Sequence, residues 1–128
     1  MLISLDLDSE TPLYEQLRNR IIIGIATGEL AEQEKLPTVR QLADDLGINA
    51  MTVNKAYALL KQEGYIAIDR RHGAKVSARQ QGKVDAVPEP ELERKLELLI
   101  AEAAIRGVDP SRFHQLCARI FSKMSYQP

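Results

Sequence analysis

The chain has 128 residues in near charge balance, 17 Lys+Arg against 18 Asp+Glu, for a formal net of −1. That length suits one domain or a small domain with an appendage, and an apolar share of 45% excludes wholesale disorder. The balance also excludes a uniformly basic coat for nucleic acid and a polybasic membrane binder, so any electrostatic partnership must come from uneven placement.

Residues 2–7 alternate Leu2, Ser4 and Asp6 with Ile3, Leu5 and Leu7, the pattern of a short strand or extended arm. Early acids and the lack of a long apolar core argue against a signal peptide. Thr11-Pro12 then reads as a helix cap followed by a first-turn proline. Leu13, Leu17, Ile21 and Ile25 recur at four-residue intervals, predicting a helix to about Thr27, with Gly28 as its left-handed stop. Its purely aliphatic run Ile21-Ile22-Ile23 is far short of the ~18 residues of a membrane span.

After a polar stretch, Leu36-Pro37 leads to Thr38, which with Gln41 forms a capping-box pattern. Leu42 and Leu46 predict a short helix closed by Gly47. Asn49 is placed to cap the next helix, whose inward stripe is Val53, Ala56, Tyr57 and Leu60, and Gly64 ends it. Two β segments, about 65–69 and 74–78, flank Arg70-Arg71-His72-Gly73. Residues 79–90, with Pro88 and Pro90 and little apolar content, read as a linker. A helix with Leu92, Leu96, Leu99 and Ala103 follows, stopping at Gly107. The last helix opens at Asp109-Pro110 and carries Phe113, Leu116, Cys117, Ile120, Phe121 and Met124.

The expected architecture is mainly α with a small β-hairpin: a unit over 1–78, a linker over 79–90 and a helical tail over 91–128. The tail is too small for a core of its own, so its apolar faces require a partner, most simply a second copy of the chain. Its dimerisation candidates are Leu92, Leu96, Leu99, Phe113, Leu116, Ile120, Phe121 and Met124. A single cysteine, Cys117, excludes an intrachain disulfide and fits a reducing, cytosolic home. With only His72 and His114 beside it, no four-ligand zinc cluster is expected.

Two short helices with Gly47 between them fit a helix-turn-helix or a plain helical hairpin equally well. The β-hairpin behind them favours the first, because a helix-turn-helix with a two-stranded wing is a DNA-binding arrangement. The charge follows the same division: residues 1–36 carry net −4, residues 37–76 carry +2 and residues 77–128 carry +1.

Pro12-Leu13-Tyr14-Glu15-Gln16-Leu17, Gly28-Glu29-Leu30 and Leu36-Pro37-Thr38-Val39-Arg40-Gln41-Leu42-Ala43 resemble the start of a GntR-family DNA-binding domain. Thr52-Val53-Asn54-Lys55-Ala56-Tyr57 and Glu63-Gly64-Tyr65-Ile66 continue the resemblance, which covers about residues 11–76. The short tail, with Val39, Asn49 and Lys55-Ala56-Tyr57, is similar to the YtrA-like subfamily. That resemblance implies a winged helix-turn-helix followed by two dimerising helices, and a transcription regulator. It departs at Ala50 and Asn54, where family members often carry arginine, and at the wing, where Arg71, Gly73, Ala74 and Lys75 replace the usual Gly-x-Gly-Thr-Phe.

With the stripe inward, Met51, Lys55 and Ala58 face outward, and Thr52 and Asn54 lie on the flanks. A recognition helix presents its N-terminal residues to base edges in the major groove. Ala50 and Met51 suit thymine methyls, Asn54 suits adenine, and Thr52 and Lys55 suit phosphate or a base edge. The plain alternatives are a capping hydroxyl at Thr52 and a solvated amide at Asn54. Arg40 either binds DNA or pairs with Asp44, its i+4 neighbour. Thr38 and Asn49 complete this group, and Arg70, Arg71, His72 and Gly73 form a basic wing tip suited to the minor groove or backbone. Tyr57 and Tyr65 are expected in the core, His114 on an exposed helix face and Cys117 in packing.

Two function classes remain. The first is a homodimeric repressor binding a pseudo-palindromic duplex operator, with a small-molecule effector between protomers or between tail and DNA-binding unit. The second is a winged helix that docks proteins without reading DNA. With no nucleophile–base pair, metal spacing or phosphate loop, no enzyme, cofactor or metal is expected.

Overall fold

The computed structural model describes residues 3–78 and 89–125. They fall into two compact units, residues 3–78 with Ser125, and residues 89–124. In chain order the elements are α1 (Leu13–Thr27), α2 (Val39–Leu46), α3 (Ala50–Gln62), β1 (Ile66–Asp69), β2 (Gly73–Val76), α4 (Glu89–Ile105) and α5 (Pro110–Phe121).

The first unit is built on one apolar cluster. Leu17 and Ile21 of α1, Leu42 and Ala43 of α2, and Val53, Ala56, Tyr57 and Leu60 of α3 are buried together, with Ile66 and Val76 of the hairpin below them. The four-residue spacing in α1 and the 53/56/57/60 stripe in α3 each bring one helix face onto this cluster. A bidentate ion pair ties the rim: Arg18 Nε and Nη2 donate to Glu63 Oε1 and Oε2 at 2.7 and 2.6 Å. The Glu63 hydrogen bonds hold the Arg18 guanidinium above its ordinary pKa.

Among the described residues, from Ile3 onward, the N-terminal arm forms no strand. Gln16 of α1 satisfies its backbone instead, donating through Nε2 to the Asp6 and Thr11 carbonyls and accepting the Asp6 N–H on Oε1. Ile3 and Leu5 pack partly against the core, while Leu7 lies exposed in a turn. The cap of α1 is Pro12, not Thr11: Pro12 holds an extended ψ of 146°, and its carbonyl accepts from the Glu15 and Gln16 N–H groups.

Strand β1 pairs antiparallel with β2 from Ile66↔Val76 to Asp69↔Gly73, so Gly73 belongs to the strand and only Arg70, Arg71 and His72 form the tip. Its φ of +71° is a conformation that a Cβ disfavours, which suits glycine where the tip closes. The chain before α2 adds a third rung that the sequence pattern does not announce. Leu36 N–H donates to the Ala74 carbonyl at 2.8 Å, Val76 N–H to Glu34 at 2.9 Å, and Lys35 bridges Lys75. The wing is thereby tied to the loop that delivers α2. Tyr65, expected in the core, lies at the surface beside the buried Ile66, because successive side chains of an extended chain point to opposite faces.

In the second unit Asp109 caps α5 by accepting the Arg112 N–H at 2.8 Å, with Pro110 at its first position. Helix α4 begins at Glu89, so Glu89 and Pro90 are helical rather than linker. A proline is tolerated in the first turn because its missing N–H has no partner to bond there. The remainder of that segment, 79–88, lies outside the described residues. Met124 follows the end of α5 instead of lying within it. No residue of α4 or α5 is buried. No helix among the described residues is long and apolar enough to cross a membrane.

Tyr57 joins the core to the chain that precedes α2: its hydroxyl donates to the Pro37 carbonyl at 2.8 Å. Burial pushes that hydroxyl up from 10.0 to about 12. An unfolded tyrosine ionises first, so this contribution is complete below pH about 10 and is lost as pH rises toward about 12. Tyr57→Phe leaves the Pro37 carbonyl without its donor, and is expected to cost about 1 kcal/mol at neutral pH. The variant is also expected to show a shallower alkaline loss of stability than the wild type. Urea denaturation across neutral and alkaline pH checks both.

Candidate nucleic-acid interface

The interface begins with how α2 and α3 are started and joined. Thr38 Oγ1 accepts the Gln41 N–H at 3.1 Å, and Gln41 Oε1 accepts the Thr38 N–H at 3.0 Å, which is a closed capping box. Gly47 ends α2 at φ +66°, and the Ile48 N–H returns to the Ala43 carbonyl at 3.0 Å. This left-handed stop turns the chain sharply enough for Asn49 to open α3 two residues later. Asn49 Oδ1 accepts the Met51 N–H at 2.7 Å, and the residue is exposed.

With Val53, Ala56, Tyr57 and Leu60 inward, the opposite side of α3 is open. Met51 is 73% exposed, Ala50, Asn54, Lys55 and Ala58 are exposed, and Thr52 is half-buried on the flank. The outward and inward sets therefore match the helical-wheel expectation residue by residue. The exposed apolar surface at the start of a capped, amphipathic helix is a feature that folding alone does not require.

Arg40 lies in the first turn of α2 and is exposed. Among the described residues it forms no ion pair, with Asp44 or any other carboxylate. Lys55 also lacks a carboxylate partner among them; its ammonium sits 3.9 Å from the centre of the Tyr14 ring. The sequence offers no local signal for this contact, because Tyr14 begins α1 while Lys55 lies mid-way along α3.

The wing tip is organised around Asp69. Its Oδ1 accepts the Arg71 N–H at 2.7 Å, and its Oδ2 lies 3.0 Å from His72 Nδ1. The His72 contact first, then the Arg71 N–H, hold the Asp69 carboxyl below its ordinary pKa. One aspartate thus folds the tip, while the Arg70 and Arg71 side chains remain exposed. Lys75 of β2, half-buried beside the Lys35 bridge, adds a cation to the wing that the sequence reading left out of the site.

The structure thus collects Thr38, Arg40, Asn49, Ala50, Met51, Thr52, Asn54 and Lys55 on one helix-turn-helix, with Arg70, Arg71, His72 and Gly73 on its hairpin. The dimerisation candidates belong to the second unit. Leu92, Leu96, Leu99, Ile120 and Phe121 are exposed there, and Phe113, Leu116 and Met124 half-buried.

Comparison with known proteins agrees with this geometry. Residues 13–76 match the family described as bacterial regulatory proteins, gntR family. The chain is 33% identical over 119 residues to the HTH-type transcriptional repressor YtrA of Bacillus subtilis, covering 89% of this chain and 88% of that one. A transcriptional antiterminator from Listeria monocytogenes shares the fold at a TM-score of 0.83 and 28% identity, over 94% of this chain and 93% of that one. YtrA from Sulfolobus acidocaldarius, a GntR-family transcription factor, aligns at a TM-score of 0.62 and 36% identity, over 82% and 99%. AraR(DBD) in complex with operator ORE1 aligns at 0.50 and 28%, over 59% of this chain and 95% of that one.

The cap at Asn49 gives a stability test of the site's foundation. Asn49→Ala is expected to cost about 1 kcal/mol, and Asn49→Asp, which caps as well, to cost much less. Calorimetric melting of the two variants checks this.

Proposed function

This chain belongs to the gntR family of bacterial regulatory proteins, and on that premise we propose that it is a cytoplasmic, homodimeric repressor that reads a pseudo-palindromic duplex operator. The observation that carries the reading is the open face of α3, with Met51 73% exposed and, on the neighbouring helix, an exposed Arg40 that forms no ion pair among the described residues.

Helix α3 enters the major groove by its N-terminal end. Ala50 and Met51 meet thymine methyls, Asn54 pairs with adenine, and Arg40 takes a guanine edge or a phosphate. Thr38, Asn49, Thr52 and Lys55 supply donors for the backbone, and these set register rather than sequence. Arg70, Arg71 and His72, with Gly73 allowing close approach, track the minor groove or phosphates beside it. The similar AraR(DBD), whose structure contains an operator, supports a duplex partner for residues 13–76.

Two copies are needed because the helix-turn-helix and wing carry only +2 per chain. Single-module binding at that charge is weak and quickly screened by salt. The domain plan is a DNA-binding unit over 1–78, a linker from 79 and a dimerising helical tail to 128. The tail associates through Leu92, Leu96, Leu99, Phe113, Leu116, Ile120, Phe121 and Met124. The lack of any buried residue in α4 or α5 supports this, since two such helices have no core without a partner. Dimer symmetry then sets two recognition helices about one DNA turn, ~34 Å, apart. A small effector bound between protomers, or between tail and DNA-binding unit, would act by altering that spacing.

A selection of bound duplexes from a random library, followed by footprinting, tests the reading. The expected product is two inverted half-sites one turn apart, bound with strong salt dependence. Arg40→Ala combined with Lys55→Ala is expected to weaken binding about tenfold or more and to reduce the salt slope by about 1 for each phosphate no longer neutralised. Absence of any sequence-selective, salt-sensitive binding would leave the protein-docking alternative in its place.

A further inference from the structure

The Lys55–Tyr14 contact joins the exposed face of α3 to a helix that the DNA reading does not use. The Lys55 ammonium lies 3.9 Å from the Tyr14 ring centre, well within the ~6 Å reach of a cation–π attraction. Lys55 is exposed and makes no ion pair among the described residues, in contrast to Lys95 with Glu91 and Arg18 with Glu63. Its positive charge is therefore oriented without being neutralised.

The ring beneath it is a fixed platform. Tyr14 stands in the first turn of α1, is partly buried and packs against the core cluster that also holds Leu17 and Ile21. The same cluster contains the inward stripe of α3. Platform and lysine stem are thus both referred to one rigid body.

From this we infer that Tyr14 is a positioning residue for DNA binding: it holds the Lys55 ammonium over its ring face, aimed outward for a backbone phosphate. The inference rests on the duplex-binding reading given above. A free lysine must give up much rotamer freedom to hold one phosphate. A lysine already seated on an aromatic face has given up part of that freedom in the unbound protein, so more of the contact appears as affinity. The ring covers one side of the ammonium and leaves donors on the other. A carboxylate partner would instead have to be displaced by the phosphate. The consequence is unusual in place: a substitution at the start of α1 should alter binding by α3.

The test uses the full chain and the duplex that the wild type enriches from a random library. Dissociation constants are measured across a salt series for Tyr14→Leu, Tyr14→Phe, Lys55→Met and the Tyr14→Leu/Lys55→Met double variant. Tyr14→Leu is expected to weaken binding about three- to fivefold, the share of one side chain's ordering cost that the ring meets in the unbound protein. Tyr14→Phe, which keeps the ring face, should restore most of that loss. Lys55→Met should lower the salt slope by about 1, and the double variant should bind no worse than Lys55→Met alone. In nuclear magnetic resonance spectra of the free protein, the Lys55 side-chain methylene signals should show a ring-current shift that Leu removes and Phe keeps. If Tyr14→Leu melts too early to assay, Tyr14→Met, which also lacks the ring, replaces it.

Three results overturn the inference. They are wild-type affinity in the folded ring-less variant, an equal loss in Phe and Leu (a direct role for the hydroxyl), and additive losses in the double variant. Each can arise while the wild type still binds its duplex, which leaves the DNA reading intact. If the wild type enriches no duplex, the reading and the inference fall together.

Discussion

A helix can offer one row of side chains to a partner in a fixed orientation only if its other row is immobilised. In α3 that second row is withdrawn from water almost entirely: Val53, Ala56 and Leu60 are 0% exposed and Tyr57 2%. Every property assigned to Ala50, Met51, Asn54 and Lys55 depends on it, because a small rotation of the helix would move each of them off the outward face. The Tyr57 hydroxyl on the Pro37 carbonyl and the Arg18–Glu63 pair secure the helix further, one against the approach to α2 and the other against α1. The apolar burial is worth far more than either polar contact. The contacts contribute direction, which burial by itself lacks.

A comparable division of labour governs the charges. The chain is nearly neutral, yet residues 37–76 hold six basic groups against four acidic ones. Two of those acids have local tasks: Glu63 clamps Arg18, and Asp69 folds the wing tip through the Arg71 N–H and His72. Their negative charge serves geometry. Arg40, Lys55, Arg70 and Arg71 stay exposed without a carboxylate contact among the described residues. Placement, not total charge, makes this surface cationic where it meets solvent.

The wing shows how the parts depend on one another. Two four-residue strands are marginal as an isolated hairpin. Here Ile66 and Val76 point into the core, and residues 34–36 add a further rung of backbone hydrogen bonds against β2. The segment that brings α2 into position thereby also holds the wing. Helix-turn-helix and hairpin are thus one mechanical piece.

What the sequence by itself determined is local and periodic. The stripe in α3, the Thr38–Gln41 box, the Asn49 and Asp109 caps and the Gly47 turn all follow from side chains within a few residues of one another, where spacing alone decides which groups meet. The candidate site inherits that legibility, since α2, the turn and the start of α3 are contiguous. Tertiary structure decided the contacts between distant segments: Tyr14 under Lys55, Arg18 on Glu63, residues 34–36 against β2, and Gln16 satisfying the arm that alternation had read as a strand. The physical reason is the same in each case. Periodicity fixes which face of an element is apolar, but which polar group on one element meets which on another depends on how the elements pack, and no spacing along the chain records that.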